Sequence, residues 1–183
     1  MRTVVLRVAA LALLLLLALV ATLSVRTLQR LPDVTLYLVR SDATSFTLEP
    51  VHRHLRAQEV APDSTRAPSE ATVWAALEAL ADGPSGEEAQ RGLGSEVPPN
   101  TRVHGVHLDD GMLTVDLSAD FAAGGGTASM LGRLYQVHYT AARPGAVDAV
   151  RLLVDGRPLI ALGGEGILVD QPWTPPTGAL PRW

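Results

Sequence analysis

The chain has 183 residues, of which 47% are hydrophobic, a formal net charge of −4 and no cysteine. The missing cysteine excludes disulfides, thiolate metal sites and a lipid-modified cysteine, and the length allows one domain core plus a targeting segment. All 19 acidic residues but only 11 of the 15 basic residues lie after residue 32. Because nucleic-acid binding requires clustered positive charge, we expect no nucleic-acid partner.

The first predicted element is an apolar segment, Val8–Val25, without a charged residue. As a helix it would span about 27 Å, close to the thickness of the hydrocarbon core of a bilayer. We predict that residues 1–27 form an uncleaved transmembrane signal anchor and residues 28–32 a tether. The domain that follows is then expected on the extracytoplasmic (periplasmic) side of the cytoplasmic membrane. A cleaved signal peptide, leading to secretion, is the alternative.

Two strands and two helices are predicted next. Alternating apolar residues indicate a strand that begins near Asp33, and a second strand follows that Pro50 interrupts. Ser69 is the predicted N-cap of the first helix, which Gly83 ends. The remaining bounds are residues 46–55 for the second strand, residues 69–82 for the helix and residues 85–92 for a further short helix.

Two hairpins and a second long helix complete the pattern. Asp110-Gly111 and Asp155-Gly156 each separate two runs of β-type residues, which is a strong signal for a tight hairpin. Between the hairpins, Thr127 is the predicted N-cap of a helix that extends to Ala142. A brief extended segment at residues 167–169 precedes a loose, proline-rich tail, residues 174–183.

The order of these elements, β-β-α-β-β-α-β-β, predicts an α+β fold. We expect a mostly antiparallel sheet with both helices packed on one face. The predicted domain covers residues 33–173.

Several stretches of the chain together resemble the GerMN family, the sporulation and spore germination domain. They are ATVWAALEALADGP, GLGSEVPPNTRV, VHLDDGMLTVDLSADF, LYQVHYTAARPGAVDAVRLLVDGRPL and GGEGILVDQPWT. The resemblance covers residues 33–173 in a single copy, and it implies a fold similar to ring-building motifs of envelope assemblies. It also implies an exported, non-enzymatic, membrane-tethered interaction domain. The family supplies no catalytic residue that could be assigned to this chain.

Five histidines were considered as metal ligands, because zinc favours paired imidazoles with a carboxylate. His52 and His54 would share one face of a strand, whereas His104 and His107, three residues apart, would point to opposite faces. Neither an HExxH motif nor a compact histidine–carboxylate cluster is present. We therefore interpret these residues and His138 as ordinary surface or cross-strand histidines and predict no metal site.

Four aspartates around the first hairpin do not match the spacing of an EF-hand loop. Asp110 fits a turn position, and Asp116 and Asp120 fit capping or exposure on a polar face. Asp109 is the fourth aspartate of this group.

A serine hydrolase would need Ser118 or Ser129 beside His138, but no GxSxG elbow is present. The glycine-rich stretch 123–127 could hold an anion at a helix N-terminus, but it lacks the lysine of a phosphate loop. A flexible connector is the favoured interpretation of this stretch.

These observations predict a non-catalytic module of the cell envelope with no cofactor and no catalytic residue. Its expected partners are envelope proteins or further copies of itself, contacted through sheet edges or helix faces. The alternative is a module that binds a small ligand or a cell-wall glycan. The glycine-rich entry at residues 122–126 and the aromatic residues Trp74, Tyr135 and Trp173 would then line the binding site.

Overall fold

A computed structural model describes residues 33–42, 44–55, 68–142, 147–163, 166–174 and 179–183. The predicted anchor (1–27) and tether (28–32) lie outside these residues. Within the part of the chain that the structure describes, no helix is long and apolar enough to cross a membrane.

The first sheet is built on an antiparallel hairpin of β1 (Asp33–Ser41) and β2 (Phe46–His54). A two-residue strand, β3 (Leu93–Gly94), pairs with the opposite side of β1. Strand β2 lies at the edge of this sheet. The backbone N–H and C=O of Phe46 face away from β1. Pro50 is an even number of residues further along β2, so its backbone faces the same way. The N–H that proline lacks would therefore have pointed outwards, and no hydrogen bond to β1 is lost.

The second sheet has the order β4-β5-β6-β7 and contains both predicted hairpins. Its strands are β4 (Val103–Asp109), β5 (Met112–Leu117), β6 (Ala149–Val154) and β7 (Arg157–Pro158). Asp110 and Asp155 adopt positive φ angles of 44° and 48°, and each is followed by a glycine with positive φ. Both Asp-Gly turns are therefore confirmed, since paired positive φ values define the favoured two-residue hairpin turn.

Among the described residues, three helices and one 3₁₀ turn connect the strands. They are α1 (Pro68–Ala81), α2 (Gly86–Gln90), the 3₁₀ turn (Ala119–Ala122) and α3 (Thr127–Ala141). Helix α2 confirms the predicted short helix, and Ser85 and Glu88 form a capping box at its start. The predicted N-cap of α3 was wrong by one residue: Gly126 is the N-cap, without a side-chain cap, and Thr127 is the first helical residue.

The α+β class is confirmed, but the strands do not form one sheet. Strands β5 and β6 pair in parallel, because α3 carries the chain back across the sheet between them. Two further short strands, β8 (Ala161–Leu162) and β9 (Ile167–Leu168), pair separately. Helix α1 contacts β1, β4 and α3. One large core therefore contains residues of both main sheets and both long helices, among them Leu38, Leu80, Val115 and Val137.

Helix α1 closes the outer edge of β4 with two carboxylates. The backbone N–H of Leu108 donates to Glu70 Oε1 at 2.8 Å, and that of Val103 donates to Glu78 Oε1 at 2.8 Å. Glu70 and Glu78 are eight residues apart, about two helical turns, and so lie on one face of α1. At these positions the edge of β4 is not open to another strand.

We expect the substitution Glu78→Ala to lower the free energy of unfolding by about 1–3 kcal/mol, because it leaves the backbone N–H of Val103 without an acceptor. Chemical unfolding followed by circular dichroism would measure the change. Glu87→Ala, at an exposed position of α2, is the control and should change stability by less than about 0.5 kcal/mol. Equal effects of the two substitutions would contradict the capping role of Glu78.

Candidate functional site: the aromatic strip on helix α3

Six partly exposed aromatic residues form a continuous row along one side of α3. We call this row the aromatic strip; its members are Tyr37, Phe46, Tyr135, Tyr139, Trp173 and Trp183. The chain has only eight Phe, Trp and Tyr residues, so most of its aromatic side chains meet at this one place. Three parts of the sequence distant from one another contribute to it.

Helix α3 is the spine of the strip. Tyr135 and Tyr139 are one turn apart, with ring centroids separated by 6.5 Å, as expected for positions i and i+4. The ring of Tyr37, on β1, lies 5.4 Å from that of Tyr139. Trp173 lies 5.1 Å from Tyr139, and these distances are within the range of favourable aromatic pairs.

Trp183 extends the strip towards the first sheet. Its ring lies 5.2 Å from the ring of Tyr135 and stacks on Phe46 at 6.0 Å. Its indole Nε1–H donates to the carbonyl of Ala128 at 2.9 Å, and its backbone makes two hydrogen bonds with Phe46. The prediction of a loose tail over residues 174–183 is therefore wrong at Trp183, which contacts both α3 and β2.

A buried histidine lies beneath one end of the strip. The ring of His138 is 2% exposed and stacks on Trp173 at 4.5 Å with an interplanar angle of 13°. Neither ring nitrogen has a hydrogen-bond partner among the described residues. Burial lowers the pKa of His138 to about 3, so the ring is neutral and works as an aromatic packing group rather than as a base.

The hydroxyl of Tyr139 is also buried and has no hydrogen-bond partner in the described part of the chain. Burial first, and then the neighbouring Tyr135 and Tyr37, raise the pKa of this phenol above its usual value. The hydroxyl is therefore a neutral donor and acceptor. A cavity of about 240 Å³ adjoins the ring and is lined by Thr35, Thr72 and Thr140 among others.

Polar side chains of α3 position the helix against β1. The hydroxyl of Thr140 accepts from the backbone N–H of Tyr37 at 3.1 Å, and the side-chain amide of Gln136 donates to the carbonyl of Tyr37 at 2.9 Å. These two bonds satisfy the backbone N–H and C=O of Tyr37, which would otherwise bond to a neighbouring strand. Because Gln136 and Thr140 are one turn apart, they fix the height of α3 along β1 and so bring Tyr139 beside Tyr37.

A second strip residue closes an edge of the second sheet. The backbone of Trp173 forms two hydrogen bonds with Val150 of β6, at 2.8 and 2.7 Å. Together with the Glu70 and Glu78 bonds to β4, these contacts occupy edge positions of the second sheet.

The histidines considered as metal ligands have separate partners. His52 bonds to Thr35 at 3.1 Å and His54 pairs with Asp33, whereas His104 lies 3.4 Å from Asp155 and His107 lies 3.1 Å from Glu70. The structure brings no three histidine or carboxylate side chains of the described residues into a group that could hold a metal ion. His104 and His107 are both exposed; the prediction of opposite faces was wrong because a bulge near Gly105 shifts the register.

The serines considered for a hydrolase are held in different places. Ser118 Oγ accepts from the backbone N–H of Arg102 at 3.1 Å, and Ser129 donates to Glu96. Neither serine bonds to His138 in the described structure, and the low pKa of His138 is unsuited to a general base at neutral pH.

The aspartates have local roles. Asp110 occupies the first hairpin turn, and Asp116 Oδ1 accepts from the N–H of Gly156 in the second turn at 2.9 Å. Asp120 lies in the 3₁₀ turn, where its carbonyl accepts from Ala123, and Asp109 is the last residue of β4.

Hydrogen bonds from Arg133 hold the start of the glycine-rich stretch before α3. The guanidinium of Arg133 donates to the carbonyls of Phe121, Ala123 and Gly124. Because these carbonyl oxygens face a cation, a side chain of α3 holds this part of the loop in place.

Of the three aromatic residues predicted for a glycan site, the structure joins Tyr135 and Trp173 through Tyr139, while Trp74 packs against the core from α1. Sequence analysis did not identify Tyr37, Phe46, Tyr139 or Trp183 as site residues. The spacing of Tyr135 and Tyr139 could have indicated an aromatic face of the helix. No local pattern indicates that Trp183 reaches β2.

Solved structures identify the class of fold. The tandem GerMN domains of the sporulation protein GerM from Bacillus subtilis match with a TM-score of 0.59 and 19% identity over 79% of this chain, which spans 45% of that structure. The first GerMN domain of the same protein matches with a TM-score of 0.56 and 23% identity, over 78% of this chain and 97% of the domain. The chain therefore has the GerMN fold.

The family model described as Germane, sporulation and spore germination, matches residues 35–160. This is more than half of the chain, which belongs to that family. The resemblance drawn from the sequence motifs is thereby confirmed. No curated protein matches the chain.

Proposed function

We propose that the chain is a membrane-anchored, extracytoplasmic, non-catalytic module that binds other envelope proteins through the aromatic strip. The observation that carries this proposal is the strip itself, in which six of eight aromatic residues lie partly exposed along one helix. Tyrosine and tryptophan dominate the binding energy of protein interfaces, because they bury a large area at a small cost in side-chain entropy. Membership of the family and the apolar segment Val8–Val25 support the remaining parts of the proposal.

A small ligand or cell-wall glycan is the second candidate. The cavity beside the strip and the unpartnered hydroxyl of Tyr139 favour it, because ligand sites combine apolar walls with a few polar groups. Retention of the purified chain on cell wall stripped of protein would favour this candidate over a protein partner.

We expect Tyr135→Ala to abolish the capture of specific envelope proteins by the full-length chain. Intact cells that express the tagged chain would be crosslinked, and the captured proteins identified by mass spectrometry. Tyr135 contacts both Trp183 and Tyr139, so its loss divides the strip, and a central interface aromatic contributes at least about 2 kcal/mol to binding, or roughly a 30-fold change in affinity.

Leu168→Ala is the matched control, because Leu168 is 72% exposed but lies on β9. It should capture the same proteins as the unsubstituted chain. If Tyr135→Ala and Leu168→Ala both retain the full set, the strip is not the interface. Thermal unfolding of both variants would show that neither has lost its fold.

The proposed location can be tested separately, because the chain has no cysteine of its own. We expect Arg151→Cys, at an exposed position of β6, to react in intact cells with a maleimide that cannot cross the cytoplasmic membrane. Labelling only after cell lysis would place the domain in the cytoplasm and contradict the proposal. The unsubstituted chain is the control and should remain unlabelled.

A further inference from the structure

From the contacts of Trp183 we infer that β2 and α3 form a peptide-binding slot, and that the same segment of a second copy can occupy it by exchange. We call residues 179–183 the strap. The inference goes beyond the proposed function and does not depend on which envelope protein the aromatic strip binds.

The slot recognises the strap with its backbone and its side chains. Backbone hydrogen bonds of 2.8 and 3.1 Å join Phe46 and Trp183 in an antiparallel arrangement, as in other cases where a peptide adds to a sheet edge. Arg182 donates to Ser45 Oγ at 3.1 Å and lies 3.5 Å from Asp42. Asp42 supplies charge complementarity, and the N–H groups of Thr44 and Ser45 with the hydroxyl of Ser45 lower its pKa to about 2.

The indole of Trp183 fits a space that the helix leaves for it. Gly132 lies in the middle of α3, where glycine is less favourable than alanine. A Cβ atom at this position would approach the Cζ2 atom of Trp183 to 3.0 Å and the Cγ atom of Glu96 to 2.9 Å. Glycine therefore allows the close approach of Trp183, while Phe46 and Tyr135 form the walls and the carbonyl of Ala128 accepts the indole N–H.

The strap and its own domain are joined by few residues. Trp173 is bonded to β6, and the five residues from Thr174 to Gly178 that join it to the strap include Pro175 and Pro176. An identical segment of a second copy would make the same bonds to β2 and α3, so the choice between copies depends on concentration. A short connection gives a local concentration on the order of 1 mM, and a chain at 10 µM would then hold about 1% of its straps in a partner.

The test traps exchanged straps with disulfides between two tagged forms of the full-length chain in detergent. Thr47 and Arg182 are opposite residues of the antiparallel bridge, where Cβ atoms lie about 5 Å apart, close to the spacing that a disulfide needs. One form carries Thr47→Cys and the other Arg182→Cys, and no other cysteine is present. The mixture is oxidised and analysed on non-reducing gels.

We expect a mixed disulfide dimer that accumulates with time and in proportion to chain concentration. Adding Trp183→Ala to the Arg182→Cys form should reduce its yield at least tenfold. A chain with both cysteines should close within itself, which verifies the geometry in a folded protein.

The proposal is overturned if the double-cysteine chain closes but the mixed dimer does not exceed the yield with Trp183→Ala. It is also overturned if the double-cysteine chain does not close, because the strap then does not lie on β2. If the double-cysteine chain closes without forming the mixed dimer, the aromatic strip and its capture of other proteins through Tyr135 are unaffected, so the two proposals can fail separately.

Discussion

Replacement of Arg133 by methionine is expected to lower the free energy of unfolding by about 3–5 kcal/mol, because the change leaves four backbone carbonyls without their donor. Arg133 is 3% exposed. Its guanidinium donates to the carbonyls of Glu96 at 3.2 Å, Ala123 at 3.1 Å and Gly124 at 3.3 Å, and to that of Phe121. Methionine fills similar space but supplies no donor.

Unfolding by urea, followed by circular dichroism, would measure the loss. The control is Arg151→Met, at an exposed position of β6, where a change of less than about 0.5 kcal/mol is expected. If Arg133→Met were as mild as Arg151→Met, the loop before α3 would not depend on the guanidinium. Because this loop sets the start of α3, the Arg133 variant should also weaken any binding through the aromatic strip.

The turns and the strand pattern of this fold can be predicted from local sequence. The turns at Asp110-Gly111 and Asp155-Gly156 were predicted correctly because a two-residue turn with positive φ accepts few residue types. The strand β5 was predicted correctly from alternating apolar residues because Leu113, Val115 and Leu117 are buried on one face. In each case the signal and the structure involve the same few residues.

The predicted α+β class with mostly antiparallel pairing is confirmed, but the strands form more than one sheet and β5 pairs with β6 in parallel, because pairing between hairpins is not a local property. Parallel neighbouring strands need a crossover connection, usually a helix, so α3 between the two hairpins was compatible with the parallel pairing of β5 and β6 but did not require it. The polar stripe of α3 was missed for another reason. Arg133, Gln136 and Thr140 have the composition of a solvent-exposed face, yet all three are buried by partners distant in sequence.

The candidate site was predictable only in part, for the same reason. Tyr135 and Tyr139 share a helix face by spacing alone. Phe46 and Trp183 are 137 residues apart, and only the fold brings their rings together. An interaction surface built from distant segments has no motif, in contrast to a catalytic elbow or a metal-binding repeat.

Acid is expected to destabilise the domain through His138. Its folded-state pKa of about 3 lies below the ordinary value of 6.5, because the ring is buried and its nitrogens have no partner in the described structure. The unfolded chain therefore binds a proton that the folded chain excludes. This contribution to stability is complete above pH 6.5 and is lost as the pH falls from 6.5 towards 3, at about 1.4 kcal/mol per pH unit.

Replacement of His138 by phenylalanine should remove this dependence while keeping a ring against Trp173. Between pH 6.5 and 5 the unsubstituted chain should lose about 2 kcal/mol more of its unfolding free energy than His138→Phe, as measured by urea titration at each pH. His52→Phe is the control, since His52 is exposed on β2 and bonds to Thr35 rather than to a carboxylate, and its profile should follow that of the unsubstituted chain. Parallel profiles for His138→Phe and the unsubstituted chain would show that the buried ring can be protonated without opening the packing of Trp173 on α3, and that acid acts on the aromatic strip by another route.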